Sequence, residues 1–126
     1  MKATKRNHRL LSSAQFRAVY ERGRKFSTPF FSAFILRTDC EWQRLGLTTT
    51  RKIGDAVLRN RCRRRLREVF RLRDQSYLAG AGFDVVLNLR TSAASAEYKD
   101  VVAALEQTLH RYRQSLDKSK GLEVTG

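Results

Sequence analysis

The segment spanning residues 58–71 is rich in arginine, yet it carries an apolar residue at every third or fourth position. Its apolar residues are Leu58, Cys62, Leu66, Val69 and Phe70. At 100° per residue they fall within a sector of about 120°, which predicts an amphipathic helix packed on a core. Six arginines lie between positions 59 and 67, flanking that sector or opposite it. Any fold of this chain must therefore bury one side of the helix and leave dense positive charge outside.

The arginine side of this helix lacks the acidic residues that would neutralise it. A merely solvated helix face mixes acids and bases that pair four residues apart. Here Glu68 is the only acid between Asp55 and Asp74, and like charges at neighbouring positions repel. The arginine guanidinium group presents a planar fork of donors that matches phosphate oxygens. The pattern favours a nucleic-acid partner over a solvated surface.

The basic charge of the whole chain is concentrated in two blocks. The chain has 126 residues and a formal net charge of +14. Residues 1–25 contribute +7, residues 51–73 contribute +8, residues 26–50 are neutral and residues 74–126 contribute −1. A basic tail would hold the excess at one end, whereas here the larger block lies inside the periodic segment. This distribution indicates a polyanion-binding surface on a folded domain.

Length and apolar patterning favour one soluble domain. We expect it to span residues 1–115, with 1–11 as a basic lead-in and 116–126 as a flexible tail. No apolar run is long enough to cross a bilayer, and no secretion signal is evident, so a cytoplasmic location is expected. Two cysteines, Cys40 and Cys62, are too few for a disulfide scaffold and lack metal-ligand spacing.

Hydrophobic periodicity predicts the element order α-β-β-β-α-β-α, a mixed α/β domain with one sheet of about four strands. The first helix should begin after a capping box formed by Ser12 and Gln15 and end at Gly23. Besides the arginine-rich helix, the expected ranges are helices 13–22 and 95–114, strands 25–28, 30–36, 44–50 and 83–89, and a hairpin loop at 39–43.

Two local features have both a structural and a functional interpretation. Gly54 and Ala56 precede the arginine-rich helix, where they form either an ordinary turn or a place for phosphate to approach backbone amides. Aromatic residues in the first helix and the second strand are either core residues or platforms on which unpaired bases stack. Strand alternation alone does not assign a face to these rings.

Catalytic chemistry by the chain itself has little support in the sequence. His8 lies in the basic lead-in and His110 in the last helix, and neither has a nucleophile or carboxylate partner by motif. The acids are few and scattered, with no cluster suited to divalent metal ions and no phosphate-loop pattern.

Residues 51–64, followed by Arg67-Glu68 and Phe70, resemble the signature of the bacterial ribonuclease P protein subunit. That signature is Lys-Lys-x-Gly-x-Ala-Val-x-Arg-Asn-Arg-x-Lys-Arg, then Arg-Glu and an aromatic residue. The resemblance extends over nearly the whole chain, including Leu45-Gly46-Leu47 and the Asp84-Val85-Val86 strand.

The resemblance implies a fold and separate roles for the protein and for a catalytic RNA. It implies an α/β chain of the α+β sandwich type, with one four-stranded mixed sheet packed by helices. The β-α-β crossover in this fold is left-handed, against the usual right-handed rule. The partners are a catalytic RNA and precursor tRNA, and the RNA, with Mg²⁺ bound mainly to it, removes the 5′ leader. The protein is expected to carry no catalytic residue and no metal. The implied contacts to the RNA subunit are Arg51, Lys52, Arg59, Asn60, Arg61, Arg63, Arg64 and Arg67. The implied leader-binding cleft contains Phe16, Tyr20 and Phe34.

The chain departs from the family pattern at two places. Thr48-Thr49-Thr50 is more polar than the usual strand. At Asn88-Leu89-Arg90 the family commonly has alanine followed by two basic residues, so one basic group is missing. The alternatives to this family are a small basic ribosomal protein, a DNA-binding module and a stand-alone nuclease.

Overall fold

Three helices and four strands follow one another in the predicted order. The computed structural model describes residues 9, 12–39, 41–73 and 81–125, with side chains as far as residue 116. The helices are α1 (Ser13–Arg22), α2 (Ala56–Arg71) and α3 (Tyr98–Thr125). The strands are β1 (Arg24–Ser27), β2 (Phe31–Arg37), β3 (Gln43–Thr48) and β4 (Phe83–Leu89). Short 3₁₀ helices, Arg51–Ile53 and Thr91–Ala94, precede α2 and α3. The predicted α+β fold with one mixed sheet is confirmed.

The last strand in the sequence lies inside the sheet. The strand order is β1-β2-β4-β3, with β4 antiparallel to β2 and parallel to β3. The prediction of a hairpin loop at 39–43 is therefore wrong, because β4 separates the two strands that this loop joins. Six of the seven residues of β4 are buried. A strand that is apolar on both faces is stabilised most in the interior of a sheet, where both faces are covered.

Alternation along the strands divides the sheet into two faces. Phe31 and Ile35 of β2 and Val85 and Leu87 of β4 point to the main core, which α2 and α3 cover. Phe31 and Phe83 are fully buried, and each stabilises the fold by up to about 3 kcal/mol. Since α2 contributes its predicted apolar side to this core, the arginine-rich side is left outside.

The opposite face of the sheet is covered by α1. Val19 of α1 and Val86 of β4 are fully buried, and Phe16, Phe34 and Leu36 pack around them. The predicted capping box is present, since the Ser12 hydroxyl accepts from the Gln15 amide at 3.1 Å and the Gln15 side chain accepts from the Ser12 amide at 3.1 Å.

Gly23 ends α1 in close contact with the sheet. Its amide donates to the Val19 carbonyl at 2.8 Å. A Cβ at this position would lie 2.5 Å from the Val19 carbonyl oxygen and 3.0 Å from that of Ile35. Glycine therefore permits the helix end to approach the backbone of β2.

The third helix is longer than predicted. It runs from Tyr98 to Thr125, whereas apolar spacing predicts 95–114. Leu116 packs against the main core and extends the apolar side of the helix by one turn. Tyr98 lies outside that core and is 42% exposed. A flexible tail over 116–126 stays a prediction. Among the described helices, none is both long and apolar enough to span a membrane.

Two buried polar contacts fix the region where β3 meets β4. Arg44 donates to both carboxylate oxygens of Asp84, at 2.8 Å each, across the parallel pair. Arg73 lies 3.8 Å from the centre of the Phe70 ring and donates to Gln43 and to the Phe70 carbonyl. Burial lowers the pKa of Arg73 to about 10. These hydrogen bonds offset the cost of burying charged side chains.

The turn before α2 depends on a glycine. Gly54 has a φ of 147°, a conformation that side chains with a Cβ rarely adopt. A Cβ here would also lie 2.7 Å from the Leu58 Cδ2 atom. The glycine of the signature therefore shapes the entry into the arginine-rich helix.

We predict that Gly54→Ala lowers the free energy of unfolding by about 1–3 kcal/mol, because it imposes strain and a contact with Leu58. Urea denaturation followed by circular dichroism measures this change. The control is Asp55→Asn, which keeps a side-chain oxygen at the helix N-cap and should change stability by less than about 0.5 kcal/mol. Equal stability of Gly54→Ala and the parent protein would contradict the requirement for glycine.

Candidate nucleic-acid interface

The N-terminus of α2 is capped by the chain's own carboxylate. The Asp55 side chain accepts a hydrogen bond from the Leu58 amide at 3.0 Å. A phosphate that approached these amides would meet negative charge. The geometry therefore disfavours the phosphate interpretation of Gly54 and Ala56, and the glycine serves the turn.

The basic residues of the signature lie on the side of α2 that faces away from the core and on the preceding 3₁₀ helix. We call this surface the cationic face. Its exposed members are Arg51, Lys52, Asn60, Arg61 and Arg64. Its half-buried members are Arg59, Arg63 and Arg67. All eight predicted contacts to RNA thus belong to one continuous stretch of surface elements.

No arginine between positions 59 and 67 forms an ion pair within the described ranges. The ion pairs found there are Arg44 with Asp84, Arg71 with Glu68, and Lys99 with Glu97. The Arg71–Glu68 contact, 2.7 Å long, neutralises the end of the helix and leaves the centre of the cationic face uncompensated. Such a face is suited to a polyanion, whose phosphates would replace the missing carboxylates.

Arg67 shows how closely these charges approach one another. Burial lowers its pKa, and repulsion by Arg9, Arg63 and Arg64 lowers the pKa further. Arg9 reaches this cluster because it forms a parallel bridge with Leu45 at the edge of the sheet. The two basic blocks of the sequence therefore meet at this point of the fold.

Cys62 lies on the buried side of the same helix. Burial raises the pKa of its thiol, although the neighbouring positive charges of Arg65, Arg61 and Arg63 act in the opposite direction. Cys62 is a free cysteine, buried against the core. Cys40 lies outside the described residues.

The three aromatic residues predicted for the leader-binding cleft lie together between α1 and the sheet. The rings of Tyr20 and Phe34 meet edge to face, with centroids 5.0 Å apart. Phe16 and Phe34 are half-buried against the Val19–Val86 pair, whereas Tyr20 is 38% exposed. The Lys25 ammonium group lies 5.7 Å from the Phe34 centroid. These rings therefore pack against the sheet and keep part of their surface accessible.

A second depression lies on the outer side of α1. It has a volume of about 610 Å³ and is open to solvent. Phe16 and Tyr20 contribute to its lining, together with Arg17 and Glu21, and Phe34 does not. Phe16 and Tyr20 therefore line this depression and also lie beside the cleft.

Hydrogen bonds from the two candidate surfaces reach neighbouring threonines at the end of β3. Arg63 donates to the Thr49 hydroxyl at 2.7 Å and also to Asn60. The adjacent Thr48 hydroxyl donates to the Asn88 Oδ1 atom at 2.6 Å. Tyr20 donates to the same oxygen at 2.7 Å. The end of β3 thus lies between the two candidate surfaces.

The Arg90 side chain forms hydrogen bonds with other residues of the same chain. It donates from Nε to the Thr28 carbonyl at 3.1 Å and from Nη2 to the Ser32 hydroxyl at 3.0 Å. Ser92 donates to the Pro29 carbonyl at 2.6 Å. The basic residue at this strand end therefore holds the connection between β1 and β2 in place.

Sequence reasoning did not assign a role to Lys25, Thr48, Thr49 or Asn88. Thr48, Thr49 and Asn88 lie in the two segments where the chain departs from the family pattern. That departure was the signal available for them. Their hydrogen bonds join residues up to 68 positions apart, so no local pattern could have shown the contacts.

The described residues do not fit a metal ion. They contain no group of three histidine, cysteine or acidic side chains close enough to hold one. The Asp84 and Glu68 carboxylates are already paired with arginines. Nothing in this donor set suits Mg²⁺, which prefers oxygen ligands in octahedral geometry.

Comparisons with known proteins agree with the sequence signature. A family model described as Ribonuclease P matches residues 4–113. The ribonuclease P protein component of Desulfovibrio desulfuricans is 35% identical over 120 residues, covering 94% of this chain and 92% of the relative. That of Clostridioides difficile is 30% identical over 102 residues, covering 81% and 89%.

Solved structures show the same fold. The RNase P protein from Thermotoga maritima superposes with a TM-score of 0.71 at 26% identity, covering 82% of this chain and 96% of that one. The fold, the signature and the family match agree over the same residues. The chain therefore belongs to the ribonuclease P protein family.

Proposed function

We propose that this protein subunit of ribonuclease P binds the catalytic RNA through the cationic face and the 5′ leader of precursor tRNA through the cleft between α1 and the sheet. Ribonuclease P is an RNA-catalysed endoribonuclease that processes precursor tRNA. The protein would assist removal of the leader by binding both RNAs, and it would act in the cytoplasm. The small ribosomal protein considered as an alternative is set aside by the family match.

One observation carries the proposal for the catalytic RNA. The centre of the cationic face has no carboxylate partner within the described residues, and its charges already depress the pKa of Arg67. Phosphates that bind there relieve the repulsion and release counterions from the RNA. Arg61 and Arg64 are the exposed arginines nearest the middle of this face.

The proposal for the leader rests on the aromatic residues. Tyr20 and Phe34 present ring surface beside Lys25, a combination of stacking platform and positive charge that suits single-stranded RNA. Mature tRNA lacks the leader and so cannot make this contact. Binding through the cleft would retain the precursor and release the product.

In this proposal, the RNA subunit catalyses the hydrolysis. The chemistry that Mg²⁺ bound to the RNA would supply is activation of a water molecule and stabilisation of the leaving oxygen. The chain's own residues position the substrate and reduce phosphate repulsion where the two RNAs meet. The central test is cleavage of precursor tRNA by a bacterial ribonuclease P RNA at low Mg²⁺, which should be faster with the protein than without it.

We predict that Arg61→Ala and Arg64→Ala each weaken binding to the RNA subunit roughly tenfold, the scale of a charge-assisted hydrogen bond. The slope of log affinity against log salt should fall by about 1 for each arginine. Filter binding over a salt series measures both quantities.

The matched control is Arg71→Ala on the same helix. Arg71 is already paired with Glu68, so its loss should change affinity and salt slope much less. If Arg61→Ala, Arg64→Ala and Arg71→Ala behave alike, the proposed interface at the centre of α2 is wrong.

We predict that Phe34→Leu weakens precursor binding by roughly fivefold and leaves binding of mature tRNA unchanged. Leucine keeps much of the packing against Val86 but removes the ring, whose stacking on a base is worth about 1–3 kcal/mol. Equilibrium binding of both tRNAs to the assembled RNA–protein complex measures the difference.

Leu36→Ala serves as the control, because Leu36 packs in the same cluster and has no ring. It should lower thermal stability without a selective loss of precursor binding. Equal weakening of both tRNAs by Phe34→Leu would show that the ring acts only in packing.

A further inference from the structure

Asn88 of β4 lies beside the aromatic residues of the cleft. The sheet register puts it opposite Ser32 of β2 and Thr48 of β3, on the face that α1 covers. The next residue pair along this face is Phe34 with Val86, so Asn88 lies one step from the aromatic pair. A base stacked on Tyr20 or Phe34 would have its edge beside this carboxamide.

The carboxamide of Asn88 directs its oxygen atom toward two hydroxyl groups. Its Oδ1 atom accepts from the Tyr20 hydroxyl at 2.7 Å and from the Thr48 hydroxyl at 2.6 Å. Two donors satisfy the two lone pairs of this oxygen, which leaves it with no capacity for a further bond.

The Asn88 Nδ2 atom, in contrast, has no hydrogen-bond partner among the described residues. No buried side-chain nitrogen or oxygen in those ranges lacks a partner, so this unpaired nitrogen is accessible to solvent. Asn88 therefore has two unpaired N–H donors and no free acceptor for a ligand.

This asymmetry has a consequence for base recognition. An asparagine with both groups available pairs bidentately with adenine, accepting from N6 and donating to N7. A donor-only asparagine cannot accept from the adenine amino group. Guanine presents two adjacent acceptors, O6 and N7, and suits the two donors of Nδ2.

We propose that Asn88 is a specificity-determining residue that favours guanine over adenine at one position of the precursor tRNA leader. Tyr20 and Thr48 act as positioning residues, because they hold the carboxamide with its donors outward. This inference rests on the proposed binding of the leader in the cleft.

The test uses the complex of the protein with a bacterial ribonuclease P RNA. The substrates are precursor tRNAs with an all-adenosine leader in which one guanosine is placed at each position in turn. The parent protein should bind one of these precursors at least fivefold more tightly than the all-adenosine precursor, the lower end of a bidentate base contact. Replacing that guanosine with 7-deazaguanosine removes N7 and should reduce the gain.

Three variants separate the possible causes. Asn88→Ala and Asn88→Asp both remove the donors and should abolish the guanosine gain. Tyr20→Phe keeps the ring and frees one lone pair of Oδ1. The affinity for the all-adenosine precursor should therefore rise relative to the affinity for the guanosine precursor. This third variant keeps the proposal testable if substitution at Asn88 itself prevents folding, which thermal denaturation would show.

Failure of this inference is distinguishable from failure of the proposed function. If precursor binds more tightly than mature tRNA but guanosine brings no gain, or if Asn88→Ala keeps the gain, Asn88 does not select the base. A preference for adenosine at that position would also overturn the donor-only assignment. If precursor and mature tRNA bind equally, the leader site and this inference are both wrong.

Discussion

The whole structure depends on the two-sided burial of β4. The backbone of β4 forms hydrogen bonds with β2 at one edge and with β3 at the other, and helices cover both of its faces. Alternation then sends successive residues to opposite sides, so that Val85 and Leu87 join the main core while Val86 anchors α1. A shift of one residue in register would exchange these two sets and remove both surfaces at once.

The cationic face is stable because the opposite side of the same helix is buried. Leu66, Val69 and Phe70 contribute apolar contacts that an isolated helix of this composition would lack. Burial of this kind contributes about 1.5–3 kcal/mol for each large side chain. Repulsion between neighbouring exposed charges costs only about 0.2–0.5 kcal/mol per pair. The fold therefore holds arginines in an arrangement whose remaining repulsion an anionic partner would relieve.

Local features of this chain were predictable, and features that depend on distant contacts were not. The bounds of α1, its capping box and the buried side of α2 agree with the structure, because spacing and capping act over a few residues. The hairpin at 39–43 was wrong because the place of β4 in the sheet depends on competition among strands. The position of α3's end was missed because Leu116 is recognisable as a core residue only once the core exists.

The candidate site likewise has parts that local sequence predicted and parts that depend on distant contacts. The signature located the arginines of the cationic face, since they follow one another in the sequence. The aromatic set came from the family resemblance, and the fold brings its members together. The link through Thr48 and Asn88 joins three elements, and neither polar residue has a local pattern that indicates its partner.

The glycine at the end of α1 determines where the helix meets the sheet. Only Gly23 separates α1 from β1, and the helix end touches the β2 backbone there. Tyr20, less than one turn from this junction, is therefore tethered to the sheet, whereas Phe16 lies a further turn away from it. The end of α1 that carries Tyr20 is therefore fixed closely against β2, and the distance to this fixed point increases toward Phe16.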